Sequence, residues 1–116
     1  MDWSRPTTQL LGRFQPWHSG HTELFKRALS KTGQVVILLR RSDGSENNPY
    51  SAHDRALLII DALDKAGIDR DTYTIIEVPN IVNITYGRDV GYKIEKETLE
   101  PEIERISASN IRKNAK

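Results

Sequence analysis

The chain has 116 residues, a formal net charge of +1 and no cysteine. This length predicts one domain over residues 1–116, the charge disfavours a broad basic surface for nucleic acid, and the lack of cysteine excludes disulfides and thiolate metal sites. No apolar run approaches the roughly 20 residues that a membrane span needs, and the polar N-terminus lacks the apolar core of a signal peptide. We therefore expect a soluble, cytoplasmic protein with no nucleic-acid or membrane partner.

Strand and helix patterns alternate from the N-terminus onward. A short extended run over Thr7–Leu11 leads through a loop into a helical pattern over His18–Lys31, and Gly33 follows as a typical helix C-cap. Gln34–Leu39 contains a continuous apolar run, which is typical of a strand buried on both faces. A polar loop over residues 40–50 comes next.

The second helix is predicted to begin after Ser51 or Asp54, either of which can serve as its N-cap, and to end near Ala66. Tyr73–Val78 is predicted as a third strand. The alternation of strands and helices predicts right-handed crossovers and a mostly parallel sheet. In such folds ligands bind beyond the carboxyl ends of the strands, so the loop after the first strand should lie at the site.

Beyond Pro79 the patterns are weaker. Two short strands are predicted over Ile81–Tyr86 and Tyr92–Glu97, on either side of the turn Gly87–Gly91. A short C-terminal helix is predicted within residues 106–116.

His18 and His21 are three residues apart at the predicted start of the first helix, which places both imidazoles on one side of its first turn. A helix N-terminus presents free amides and about half a positive charge, so it attracts anions. Two imidazoles add donors for phosphate oxygens, and Gly20 between them lets a ligand approach the backbone. From the residues alone, a metal site and two ordinary surface histidines stay open as alternatives.

The segment Ile106–Arg112 predicts a second phosphate site. Ser107 or Ser109 can cap a helix there, and Arg112 can grip a phosphate with two parallel hydrogen bonds. Serine at a helix start is common, however, and Arg112 can equally be a solvated surface charge.

Both segments resemble the nucleotidylyltransferase superfamily. Gly12-Arg13-Phe14-Gln15-Pro16-Trp17-His18-Ser19-Gly20-His21 resembles its His-x-Gly-His signature, and the opening five residues resemble archaeal-type nicotinamide mononucleotide adenylyltransferases. Ile106–Arg112 resembles the second signature, Ile-Ser-x-Thr-x-Ile-Arg, with Ser109 where threonine is common.

The resemblance implies a three-layer, Rossmann-like α/β fold and an enzyme that binds ATP or another nucleoside triphosphate. Its partner substrate would be a phosphorylated small-molecule acceptor, with Mg²⁺ bridging the phosphates and few direct protein ligands for the metal. His18 and His21 would stabilise charge on the triphosphate as catalytic residues, together with Arg112. The nucleotide-binding residues would be Gly12, Arg13, Phe14, Gly20, Ser107 and Ser109, and Arg88 in the turn is a further candidate.

Two side chains have competing interpretations. Trp17 either packs beside the helix start or stacks on a substrate ring. Arg55 is expected to brace the loop rather than touch substrate.

Three functions are compatible with these residues. The first is transfer of adenylate from ATP to nicotinamide mononucleotide or a related phosphate. The second is a cytidylyltransferase acting on a small phosphorylated alcohol, and the third is a nucleotide-binding module without catalysis. The stretch between Val78 and Ile106 is shorter than in the adenylyltransferases, where it usually forms part of the acceptor pocket. The identity of the acceptor therefore stays open. The short sheet also suggests a homo-oligomer in which a partner subunit covers apolar surface.

Overall fold

A parallel sheet organises the part of the chain that the computed structural model describes, which comprises residues 1–41, 50–88 and 91–97. Its strands lie in the order β1-β2-β3, and each adjacent pair is parallel. In chain order the elements are β1 (Thr8–Gly12), α1 (Ser19–Thr32), β2 (Val35–Arg40), α2 (Ala52–Lys65), a 3₁₀ turn (Arg70–Thr72) and β3 (Tyr73–Val78). The predicted alternation and the predicted bounds of β3 are confirmed.

Local sequence signals fix where the helices begin and end. α1 stops at Gly33, which has a φ of 83° and donates its amide to the carbonyl of Leu29, as a glycine C-cap does. α2 begins after Ser51, whose hydroxyl accepts a hydrogen bond from the amide of Asp54. Ser51 rather than Asp54 is therefore the N-cap of α2.

Both helices pack on the same face of the sheet. Phe25 of α1 contacts Tyr73 of β3 edge to face, with ring centroids 5.7 Å apart. Ile59 and Leu63 of α2 are fully buried in the same hydrophobic core. Crossovers of one hand that step from β1 to β2 to β3 place their helices on one side, so the described residues form the sheet and a helical layer on one of its faces.

The one-sided packing corrects the expectation for β2. Val35, Ile37 and Leu39 are buried beneath the helices, whereas the alternating residues Val36 and Leu38 are only partly covered. Successive side chains of a strand point to opposite faces of the sheet. The alternation therefore shows that helices cover one face of β2, whereas the prediction was burial of both faces.

The predicted strands over Ile81–Tyr86 and Tyr92–Glu97 are wrong, because the described residues of this region have no regular structure. Val82 is 83% exposed and Ile94 is 67% exposed, so the apolar side chains that suggested strands pack against no sheet. Ion pairs instead hold residues 95–97 at the last turns of α1, where Nζ of Lys31 lies 2.7 Å from Glu97. The predicted C-terminal helix lies outside the described residues. Within the described ranges, every helix is too short or too polar to cross a bilayer.

Candidate active site

The loop from β1 to α1 is buried along most of its length. Phe14, Gln15, Pro16 and Trp17 are all buried, although the loop joins two elements at the edge of the sheet. The backbone of Phe14 is left-handed, with a φ of 52°, which is uncommon for a residue with a side chain. The Phe14 ring lies over Gly12, so that a Cβ on Gly12 would come within 2.7 Å of the ring. Glycine at this position therefore allows the loop to fold back on the strand end.

The two histidines cap α1. His18 is the N-cap residue, and its Nδ1 accepts a hydrogen bond from the amide of Gly20 at 3.1 Å. Nδ1 of His21 accepts a hydrogen bond from the amide of His18, also at 3.1 Å. The pair thus forms a reciprocal capping box, in which imidazole nitrogens replace the oxygens of the usual serine and glutamate.

This cap determines which nitrogen of each ring can donate. A neutral imidazole has one N–H and one acceptor nitrogen. In both His18 and His21 the acceptor is Nδ1, because a backbone amide donates to it. The proton therefore lies on Nε2 of each ring, and the two Nε2–H groups are the donors left for a ligand.

The environment keeps both imidazoles neutral. Burial, reinforced by repulsion from His18, lowers the pKa of His21 to about 3, and burial also lowers the pKa of His18. The two rings stack with centroids 3.8 Å apart, and the Phe14 ring meets His21 edge to face at 5.0 Å. At neutral pH the site offers neutral hydrogen-bond donors rather than imidazolium charges.

Trp17 belongs to the core of this loop. It is 6% exposed, and its indole Nε1 donates to the hydroxyl of Thr22 at 2.9 Å. The packing interpretation is confirmed, and this ring has no open face for stacking on a substrate.

Arg55 braces the loop, as expected from the sequence. Its side chain is 2% exposed, and Nη1 donates to the carbonyl oxygens of Arg13 and Arg40 at 2.7 Å each. Its Nε donates to the carbonyl of Ser51 at 3.3 Å. The loop after β1, the end of β2 and the start of α2 therefore meet at one guanidinium.

Sequence reasoning missed a second brace, Gln15. Its side-chain amide donates to the carbonyl of Tyr50 at 3.0 Å and accepts from the amide of Tyr50 at 2.9 Å. The side chain is 1% exposed. Its amide pairs with both backbone hydrogen-bonding groups of Tyr50, as the backbone of a neighbouring strand would. A polar amide inside an otherwise buried loop is the signal that could have indicated this role.

A cavity of about 240 Å³ lies against the loop and the first turn of α1. Its walls include Gly12, Arg13, Phe14, Gln15 and His21. Most of the nucleotide-binding residues predicted in the first half of the chain therefore come together at the carboxyl end of β1. A larger groove of about 630 Å³ lies between α2 and β3, away from the histidine pair.

Other predicted site residues lie apart from this cavity or are not described. Gly20 is buried in the first turn of α1, where its amide donates to Nδ1 of His18, and it does not line the cavity. Arg88 is exposed at a bend in the irregular segment after β3. Ser107, Ser109 and Arg112 fall outside the described residues, so their predicted roles stay predictions.

Residues 10–93 match the family model described as cytidylyltransferase-like. The chain belongs to this family. The matched segment includes the histidine cap, the cavity beside it and both braces. The resemblance to the nucleotidylyltransferase superfamily that the sequence indicated is therefore confirmed.

Relatives of this cytidylyltransferase-like chain include nicotinamide-nucleotide adenylyltransferases. The one from Ignicoccus hospitalis is 40% identical over 73 residues, which are 61% of this chain and 43% of that protein. The one from Saccharolobus solfataricus is 36% identical over 73 residues, which are 61% of this chain and 42% of that protein. An uncharacterized protein from Archaeoglobus fulgidus is 32% identical over 110 residues, which are 92% of this chain and 60% of that protein. The matched parts therefore span between 42% and 60% of the lengths of these curated relatives.

The fold of this family member also matches a solved structure. A bifunctional NMN adenylyltransferase/ADP ribose pyrophosphatase from Francisella tularensis, complexed with AMP and a manganese ion, aligns with a TM-score of 0.61 and 32% identity. The alignment covers 65% of this chain and 23% of that one. The α/β, Rossmann-like fold predicted from the sequence is confirmed.

Proposed function

We propose that this chain forms the triphosphate site of a nucleotidylyltransferase. The reaction is the transfer of a nucleoside monophosphate, with ATP as the preferred source, to the phosphate of an acceptor such as nicotinamide mononucleotide. The observation that carries the proposal is the histidine cap, which leaves one Nε2–H on each of two neutral, adjacent rings at a helix N-terminus. The names of the relatives support adenylate as the transferred group.

The chemistry requires positioning and charge stabilisation rather than a protein nucleophile. An oxygen of the acceptor phosphate attacks the α-phosphorus, a new P–O bond forms, and the bond to the bridging oxygen of the β-phosphate breaks. Pyrophosphate leaves with the electron pair of that bond. The Nε2–H groups of His18 and His21 donate to phosphate oxygens on which negative charge grows, and this stabilises the transition state. Arg13 offers a positive charge beside the same cavity for the acceptor phosphate.

We infer that Mg²⁺ would accompany the triphosphate rather than occupy a dedicated protein site. Among residues 1–41, 50–88 and 91–97, no three His, Cys, Asp or Glu side chains come together as a metal-binding group. Mg²⁺ typically keeps several waters and binds through substrate phosphates with few protein ligands. When bound, it neutralises part of the phosphate charge. The homo-oligomeric state and the cytoplasmic location expected from the sequence stay predictions.

Product analysis tests the proposal. The protein is incubated with Mg²⁺, nicotinamide mononucleotide and ATP or CTP in parallel, and the products are identified by mass. We expect the adenine dinucleotide and pyrophosphate from ATP, and little product from CTP. If CTP reacts better, or if only another phosphorylated acceptor reacts, the substrate assignment fails while nucleotidyl transfer stands. Triphosphate binding without pyrophosphate release from any acceptor would favour the non-catalytic module.

A further inference from the structure

One buried guanidinium joins the loop after β1, which lines the candidate site, to the end of β2. Nη1 of Arg55 lies 2.7 Å from the carbonyl oxygen of Arg13, after β1, and 2.7 Å from that of Arg40, at the end of β2. We propose that Arg55 is a positioning residue for nucleotidyl transfer, an inference that rests on the proposed function. It sets the distance between the loop after β1 and the end of β2, and through that loop the placement of the Arg13 side chain, which lines the cavity.

The chemistry of Arg55 favours positioning over simple packing. A guanidinium buried to 2% exposure loses its hydration, and this burial lowers the pKa of Arg55. Its acceptors are the backbone carbonyls of Arg13, Arg40 and Ser51, which come from three separate segments. An apolar side chain would fill the same space without the desolvation cost. The planar guanidinium of arginine presents several N–H donors in fixed directions, so it can link several carbonyl groups at once.

The brace reaches the histidine pair through the loop itself. Gln15, two residues after Arg13, is held by the backbone of Tyr50, which directly precedes the N-cap of α2. Phe14, between these two anchored positions, contacts the ring of His21. Arg55 and Tyr50 therefore hold the two residues on either side of Phe14, whose ring packs against His21.

Substitutions at Arg55 test the proposal on the full chain. Arg55→Met removes the donors but keeps a long side chain, and Arg55→Lys keeps the charge on a single nitrogen. Leu63→Ala is the matched control, because Leu63 is a fully buried residue of the same helix two turns away. Two quantities are compared with the unsubstituted protein: hydrogen exchange of the Tyr50 and Gly20 amides, and kcat/KM for pyrophosphate release.

We expect Arg55→Met to speed exchange of these two amides more than exchange in the core of α1, and to lower kcat/KM by roughly 10- to 100-fold. Arg55→Lys should fall between Arg55→Met and the unsubstituted protein. Leu63→Ala should lower the melting temperature with uniform changes in exchange and little change in kcat/KM. If Arg55→Met does not fold, Arg55→Lys supports the same comparison.

The outcomes separate the two proposals. Uniform exchange changes in the Arg55 variants, with kcat/KM no lower than in Leu63→Ala, would show that Arg55 is only structural. If the unsubstituted protein releases no pyrophosphate with any acceptor, the proposed function fails. In that case the exchange comparison still decides whether Arg55 holds the loop in place.

Discussion

The imidazole rings of His18 and His21 stack with centroids 3.8 Å apart and 25° between their planes. The same two rings accept the amide protons that close the capping box of α1. An alanine variant removes both Nδ1, which caps the helix, and Nε2, which we propose binds phosphate. Such a variant therefore cannot separate the two roles. Substitutions that keep the cap and remove the ring are needed to tell them apart.

Asparagine at position 18 should achieve this separation. Asn is as good an N-cap as any residue, so His18→Asn should keep the melting temperature while losing the Nε2–H donor. Loss of one such donor should reduce pyrophosphate release by roughly 100- to 1000-fold. His18→Ala should lose a similar activity and, in addition, about 1 kcal/mol of unfolding free energy. Full activity in His18→Asn would remove this ring from the mechanism.

Acid should destabilise the protein through His21. Its pKa falls from 6.5 to about 3 on folding, so below pH 6.5 the unfolded chain takes up a proton that the folded chain does not. The free energy of unfolding should therefore decrease as the pH falls from 6.5 towards 3, with a slope of at most about 1.4 kcal/mol per pH unit from this group.

His21→Gln tests this dependence, because glutamine at that position can still close a capping box but does not titrate. Its unfolding free energy should fall less than that of the unsubstituted protein between about pH 7 and about pH 5. His53→Gln, which removes an exposed imidazole from α2, is the control. Equal slopes in all three proteins would mean that His21 is not held neutral.

A methyl group on Gly12 should disrupt the loop. The added Cβ would lie 2.7 Å from the buried Phe14 ring, so either the ring or the strand end must move. Such overpacking should cost about 1–3 kcal/mol of unfolding free energy. Gly87→Ala is the control, since a Cβ there meets no atom within 4 Å.

Phe14→Leu should relieve part of this cost. Denaturant unfolding of the two single variants and the double variant gives the coupling between positions 12 and 14. If Gly12→Ala is equally destabilising with phenylalanine or leucine at position 14, the ring contact is not the reason for glycine.

Arg112 is predicted to hold the phosphates that leave. Arg112→Ala should therefore weaken binding of ATP more than binding of AMP, as measured by titration calorimetry. Lys113→Ala, a neighbouring substitution with the same change in charge, should affect neither ligand strongly. Equal losses for ATP and AMP in Arg112→Ala would place this side chain away from the leaving phosphates.

The parts of the fold that can be predicted are those that depend on residues close together in the sequence. Apolar residues at helical spacing, Gly33 after α1 and the apolar run Tyr73–Val78 each identify an element without knowledge of its neighbours. The grouping of His18 with His21 was predictable for the same reason, because three residues of helix bring two side chains to one side.

The missed features depend on distant contacts. Ile81–Tyr86 has an apolar composition typical of a strand, yet it forms none because a strand needs a partner, which no local pattern supplies. The pairing of Gln15 with Tyr50 joins positions 35 residues apart, so neither residue signals it alone. Use of histidine as an N-cap was also unexpected, since serine, threonine, aspartate and asparagine are the usual residues there.

The contacts that hold the candidate site together differ in the sequence separation of the residues that they join. The histidine cap involves residues at most three positions apart, whereas Gln15 and Arg55 reach 35 and 42 residues to their partners. Local contacts close quickly during folding, and distant ones must first overcome the entropy of closing a long loop. The turn that carries the histidine cap can therefore form as α1 forms, but the loop beside it gains its distant contacts only once α2 has docked. Because a ligand stabilises only the state that binds it, triphosphate binding should slow the transient undocking of α2 far more than the fraying of α1.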